Sequence, residues 1–163
     1  MRSFMLVVAM VAVVVAVGSV DVRPARAAWG PETPPFNLQV ILRDVADGDG
    51  FGLVKFRQPN DADQIVELDT WITRLEPDHD YVLRRAVDAP DGVCTSTAWL
   101  TLGRGLDPQP VTTDAMGTGR AALFRSLAVF APGTRFDIRF QIADAATLAP
   151  ILESACYQFA VSV

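Results

Sequence analysis

Phe136-Asp137-Ile138-Arg139-Phe140-Gln141-Ile142 decides the fold class of this chain. Large apolar side chains stand at every second position, with Asp137, Arg139 and Gln141 between them. Successive side chains of an extended strand point to opposite faces, so this spacing buries one face and leaves the other outside. A helix needs apolar residues at three- and four-residue steps, and no long stretch of the chain has them. The alternation recurs upstream. Phe36, Leu38, Val40 and Leu42 alternate with Asn37, Gln39, Ile41 and Arg43; Val54 and Phe56 oppose Lys55 and Arg57. Val66, Leu68, Thr70 and Ile72 oppose Glu67, Asp69 and Trp71. Tyr81, Leu83 and Val87 continue the pattern with Arg85 out of place, which either a bulge or an acid-paired arginine near the sheet end explains.

Further strands are expected over residues 97–102 and 119–127, and Tyr157, Phe159 and Val161 face inward on the last one. Turn residues separate them: Asp47-Gly48-Asp49-Gly50, Pro59-Asn60-Asp61-Ala62-Asp63, Pro77-Asp78-His79-Asp80, and a turn-rich stretch over 103–114. Residues 145–152 read as a helical turn interrupted by Pro150. Short strands at this spacing predict an all-β chain, a single antiparallel β-sandwich or Greek-key barrel of seven to eight strands.

The chain opens with an export signature. Arg2 precedes an apolar run from Phe4 to Val17, and Ala25-Arg26-Ala27 supplies small residues at alternate positions for a signal peptidase. The run is shorter than the roughly 20 residues a permanent membrane helix needs. Residues 1–27 are therefore expected to be a signal peptide, 28–35 an extended proline-rich arm, and 36–163 one β domain. The membrane enters only through the signal segment before cleavage, and the mature chain is expected to be secreted or periplasmic. Thiols oxidise in such a compartment, so the two cysteines, Cys94 and Cys156, are expected to form one disulfide. Strand alternation puts Cys156 on the outer face of the final strand, reached by Cys94 from a loop over the sheet exterior.

Charge excludes one class of partner. The chain carries 14 basic and 19 acidic side chains, a net −5. Without Arg2, Asp21, Arg23 and Arg26 the balance is 11 to 18, a net −7. Such a surface lacks the clustered Lys and Arg that nucleic-acid phosphates require.

Several segments resemble the copper/zinc superoxide dismutase-like sandwich. Gly52-Leu53-Val54-Lys55-Phe56-Arg57-Gln58 is similar to that family's second strand, and Ile72-Thr73-Arg74-Leu75-Glu76-Pro77 to its Gly-Leu-x-Pro turn. Tyr81 falls near the aromatic of its metal-binding strand. Gly92-Val93-Cys94 and Ala155-Cys156 stand where the family places its loop-to-last-strand disulfide. The resemblance spans roughly residues 38–163, and secreted chordin-type (CHRD) sandwiches share it. It implies fold and disulfide but not catalysis: copper and zinc need clustered imidazoles, and this chain owns one histidine, His79.

Other chemistry is sparse. His79 lies between Asp78 and Asp80, which favour its protonation, but no serine stands in a nucleophile-elbow motif, so an exposed turn histidine is expected. Asp44, Asp47 and Asp49 offer carboxylates in a glycine-bearing turn where calcium could bind, although the spacing departs from the calcium-loop pattern and a plain hairpin turn is favoured. Asp61, Asp63 and Glu67 pose the same question more weakly. Trp71 and Ile41 are apolar on outward faces: Trp71 is expected beneath the Cys94 loop, and an exposed partner surface is the other reading. The function expected is a secreted, non-catalytic binding or structural module with no cofactor, meeting a protein or cell-surface component. A calcium-binding or metal-dependent exported enzyme using the acidic loops is the alternative.

Overall fold

The computed structural model describes residues 38–59 and 63–162. The signal segment, the arm, Phe36, Asn37 and Asp61 lie outside the described residues. Within them the chain is all-β, without a helix. The strands are β1 (Leu38–Asp44), β2 (Phe51–Arg57), β3 (Ile65–Thr73), β4 (Asp80–Asp88), β5 (Leu100–Thr101), β6 (Gly103–Arg104), β7 (Asp107–Pro108), β8 (Pro110–Thr112), β9 (Gly119–Ser126), β10 (Arg135–Asp144), β11 (Pro150–Ser154) and β12 (Tyr157–Ala160).

They form one sheet in the order β5-β4-β10-β11-β1-β2-β3-β9-β6-β7, with β12 on β10 and β8 on β4. The sheet is nearly closed, and the short segments between residues 100 and 119 close it. β8 pairs with β4, and Thr113, just beyond β8, bridges to Gly119 at the start of β9. Nearby, the Leu102 amide donates to the Leu83 carbonyl, and β6 runs parallel to β9 through Arg104 and Phe124. Near-closure leaves only short sheet edges, β5 and β7, that could template association. Gly103 makes the tight return to β7 possible, since a Cβ there would overlap the Asp107 carbonyl.

The alternating residues fill the interior. Val40, Leu42, Val54, Ile72, Leu83, Ile142 and Leu152 are fully buried, and Phe56 packs edge-on against Phe140 and Phe159 with centroids 6.1 and 4.6 Å apart. Aromatic pairs in this geometry add about 1 kcal/mol each beyond the area they bury.

Four expectations are corrected. The sheet has more strands than seven or eight, because β6, β7, β8 and β11 are too short or too polar to show a period; the strand expected over 97–102 shrinks to β5. The helical turn expected over 145–152 is shorter: a single turn, closed by the Leu148 amide on the Asp144 carbonyl with Leu148 at φ 59°, forms the loop of the β10–β11 hairpin, and β11 begins at Pro150. Arg85 sits in unbroken register opposite Phe140, with no bulge, and no acid pairs with it among the described residues. Cys156 lies in a break between β11 and β12, not on a strand. Both of these strands pair with β10, so the break is a kink in one ribbon, held by the Ser154 hydroxyl, which accepts from the Phe140 amide.

Candidate functional site

The outer face of β1, β2, β3 and β9 carries an apolar row. Register aligns Ile41 with Leu53, Leu53 with Trp71, and Trp71 with Arg120. Alternation sets these positions outward because their neighbours Val40, Leu42, Val54, Thr70 and Ile72 occupy the core. Trp71 is 44 % exposed and Ile41 41 %. Beside them an open groove of about 780 Å³ runs past Leu53, Lys55, Trp71, Arg120 and the Thr112–Asp114 segment.

Charged pairs frame the row. Arg120 grips Asp69 with two bonds of 3.1 and 2.7 Å, and Arg57 meets Glu67 at 3.0 Å. The Arg43 guanidinium lies 5.2 Å from the Phe51 ring centre. Exposed pairs of this kind contribute at most about 1 kcal/mol to stability. They do fix the long side chains, leaving less freedom to be lost when something docks.

The Cys94 loop lies elsewhere. Cys94 and Cys156 form the disulfide, Cα atoms 5.5 Å apart. The bond is consistent with maturation in an oxidising compartment. The loop that carries Cys94 lies against the outer face of β4 and β10. Asp137, fully buried, accepts from the Gly92 and Val93 amides, and Asp88 accepts from those of Thr95 and Ser96. Trp99 stacks on Arg139, whose guanidinium carbon is 4.9 Å from the ring centre, and Arg139 also donates to the Ser96 carbonyl. This flap buries Ala86, and Trp71 on β3 stays uncovered. The burial expected for Trp71 is therefore corrected, and Trp71 and Ile41 belong to one exposed face.

His79 is bound more firmly than a solvent-exposed turn residue. Its Nε2 lies 2.5 Å from Asp144 Oδ2, its Nδ1 3.9 Å from Glu76, and its ring packs on Tyr81. The Asp144 bond raises its affinity for a proton, opposed by burial and helped by Glu76. Asp144 is held well below the usual carboxylate range, first by Thr147, whose hydroxyl and amide both donate to it, then by His79. The pair ties the β3–β4 turn to the β10–β11 turn. No serine hydroxyl bonds to His79 among the described residues. The hydroxyls of Ser96, Ser126 and Ser154 bond to backbone instead.

The acidic turns do not converge. Asp44 turns its carboxylate back onto the Ala46 amide at 2.8 Å, and Asp47 adopts φ 58°. Gly48 and Gly50 serve by lacking a Cβ, which would press on that carboxylate. Glu67 is engaged by Arg57 across the β2–β3 ladder. Among the described residues no three His, Cys, Asp or Glu side chains gather closely enough to hold a metal ion.

Sequence reading missed the role of Asp88 and Asp137, and it missed the inward pair of Arg85 and Arg125. Arg125 falls on the inward set of β9 with Leu123, a signal present in the alternation itself.

Comparison of the chain with protein-family models, with curated proteins and with solved structures found no match.

Proposed function

We propose that this chain is an exported, non-catalytic binding module that engages a protein or cell-surface component through the outer face of β1, β2, β3 and β9. The observation that carries the reading is the cross-strand row of exposed Ile41 and Trp71 with half-buried Leu53 between them, beside an open groove. An exposed tryptophan beside an arginine, here Trp71 and Arg120, is the composition found at interface hot spots, where a few large side chains supply most of the affinity. A contiguous apolar patch on a closed sheet has no role in closing it, so packing does not account for the row.

The reading extends to fold and address. A Greek-key sandwich of the superoxide dismutase-like or chordin type accommodates a disulfide from a loop to the last ribbon, and the signal-like leader directs such a domain out of the cytoplasm. In this reading the domain keeps the scaffold and does without the metal chemistry.

The test uses the chain expressed in a secreting host and immobilised against its own extracytoplasmic fraction. Trp71→Asp and Ile41→Asp are expected to abolish retention of the partner while leaving the melting temperature within a few degrees. Arg104→Asp, outside the row, is expected to retain it. Equal retention by all three variants would refute the assignment of this face.

A further inference from the structure

A second site lies at the end of the barrel opposite His79. A cavity of about 340 Å³ opens there beneath the loop joining β9 to β10. Its floor is the aromatic stack of Phe56, Phe140 and Phe159. Its rim includes Phe130, 38 % exposed, and Val129, 86 % exposed.

Three arginines line this cavity, Arg85, Arg125 and Arg135, and among the described residues no carboxylate does. That is unexpected on a chain with a net charge of −5. Arg85 occupies the inward position opposite Phe140, which is 1 % exposed. Among the described residues no hydrogen bond or ion pair reaches the Arg85 guanidinium, and that of Arg125 donates only to the Gly105 carbonyl, at 3.0 Å. Burial first, then the neighbouring Arg125 charge, disfavours the protonated form of Arg85. Arg85 is partly buried, and a guanidinium there without a counter-charge gains from an anion that meets it. Its planar fork suits the two oxygens of a carboxylate.

We propose that this cavity binds a small amphiphilic anion, a carboxylate on an aliphatic chain, with the head group on Arg85 and Arg125 and the chain among the phenylalanines. An apolar cavity with a few convergent polar groups is the usual form of a small-molecule site, and its size lies at the lower end of the observed range. Exposed Val129 and Phe130 give the ligand an apolar threshold to cross. The site shares no residue with the Trp71 face, so the two assignments stand or fall separately.

The experiment is calorimetric titration of the full chain, purified from a secreting host, with decanoate below its micelle concentration. Decanol and decyltrimethylammonium supply the same chain with a neutral or a cationic head. Decanoate is expected to bind at one site, at least tenfold more tightly than either. Arg85→Leu is expected to abolish that preference while retaining decanol binding, which also shows that the variant is folded. Arg85→Lys should keep part of the preference, and Arg120→Leu on the outer face should keep all of it. Equal affinity for the three head groups would overturn the proposal, as would full decanoate affinity in Arg85→Leu. Binding to anionic vesicles without binding to monomeric decanoate would also overturn it and assign the cavity rim to a membrane surface.

Discussion

Replacing both cysteines by serine isolates what the disulfide contributes. The bond closes a loop with a sequence separation of 62. The chain-entropy relation for a loop of that length gives about 4 kcal/mol at 25 °C, acting on the unfolded chain. For a domain of this size 1 kcal/mol moves the melting temperature by about 4 °C, so the loss is expected near 15 °C. The folded state should change little, because the flap has other anchors. Asp137 and Asp88 accept from the Gly92, Val93, Thr95 and Ser96 amides, and Trp99 remains stacked on Arg139. The assay is urea unfolding of the Cys94→Ser/Cys156→Ser variant against the oxidised parent, with amide exchange measured on both under native conditions. A midpoint drop matching about 4 kcal/mol, a slightly steeper denaturant slope, and retained protection at those amides are expected. A loss under about 1 kcal/mol, or a flap that exchanges freely in the variant, would refute the reasoning. The second result would show that the sulfurs, not the two carboxylates, hold the flap down.

Three further outcomes follow from the same geometry. His79 has its proton affinity raised above the ordinary 6.5, so what it adds to stability is full below that pH and fades as pH rises through the folded value. Asp144 is shifted the other way from 3.8, so its share is present above that pH and fades in acid. His79→Ala should therefore destabilise more at pH 5 than at pH 9 in paired thermal melts, and equal effects at the two would contradict the pairing. Phe140→Ala removes a side chain that is 1 % exposed and packs edge-on against Phe56, and should cost about 3–5 kcal/mol in urea unfolding. Millimolar calcium should leave the melting temperature unchanged, because Asp44 is turned onto Ala46 and no acidic cluster forms among the described residues; a clear rise would restore the metal reading.

The sequence made the long strands plain because their alternation is a local signal. Val66 to Ile72 and Phe136 to Ile142 face the way their spacing requires, and the two cysteines left a single intramolecular pairing. Closure of the sheet was not legible. Strands of two or three residues such as β6 and β8 have no period, and long-range partners at β4 and β9 define them. Arg85 looked like an irregularity because alternation was read as apolar-in, whereas the strand is regular and the site it faces is part polar. Asp137 looked solvated on an outward position, yet the flap that buries it arrives from some 45 residues away in sequence. Trp71 was expected under the flap for the same reason. Alternation names the outer face, but only the path of the Cys94 loop says which half of it is covered.

Photo-crosslinking from position 71 tests the central claim most directly. A photoreactive phenylalanine analogue in place of Trp71, in cells exporting the chain, should yield one discrete adduct, and the same group in place of Arg104 should yield none. A ladder of nonspecific products from both positions, or an adduct from Arg104 alone, would contradict the account.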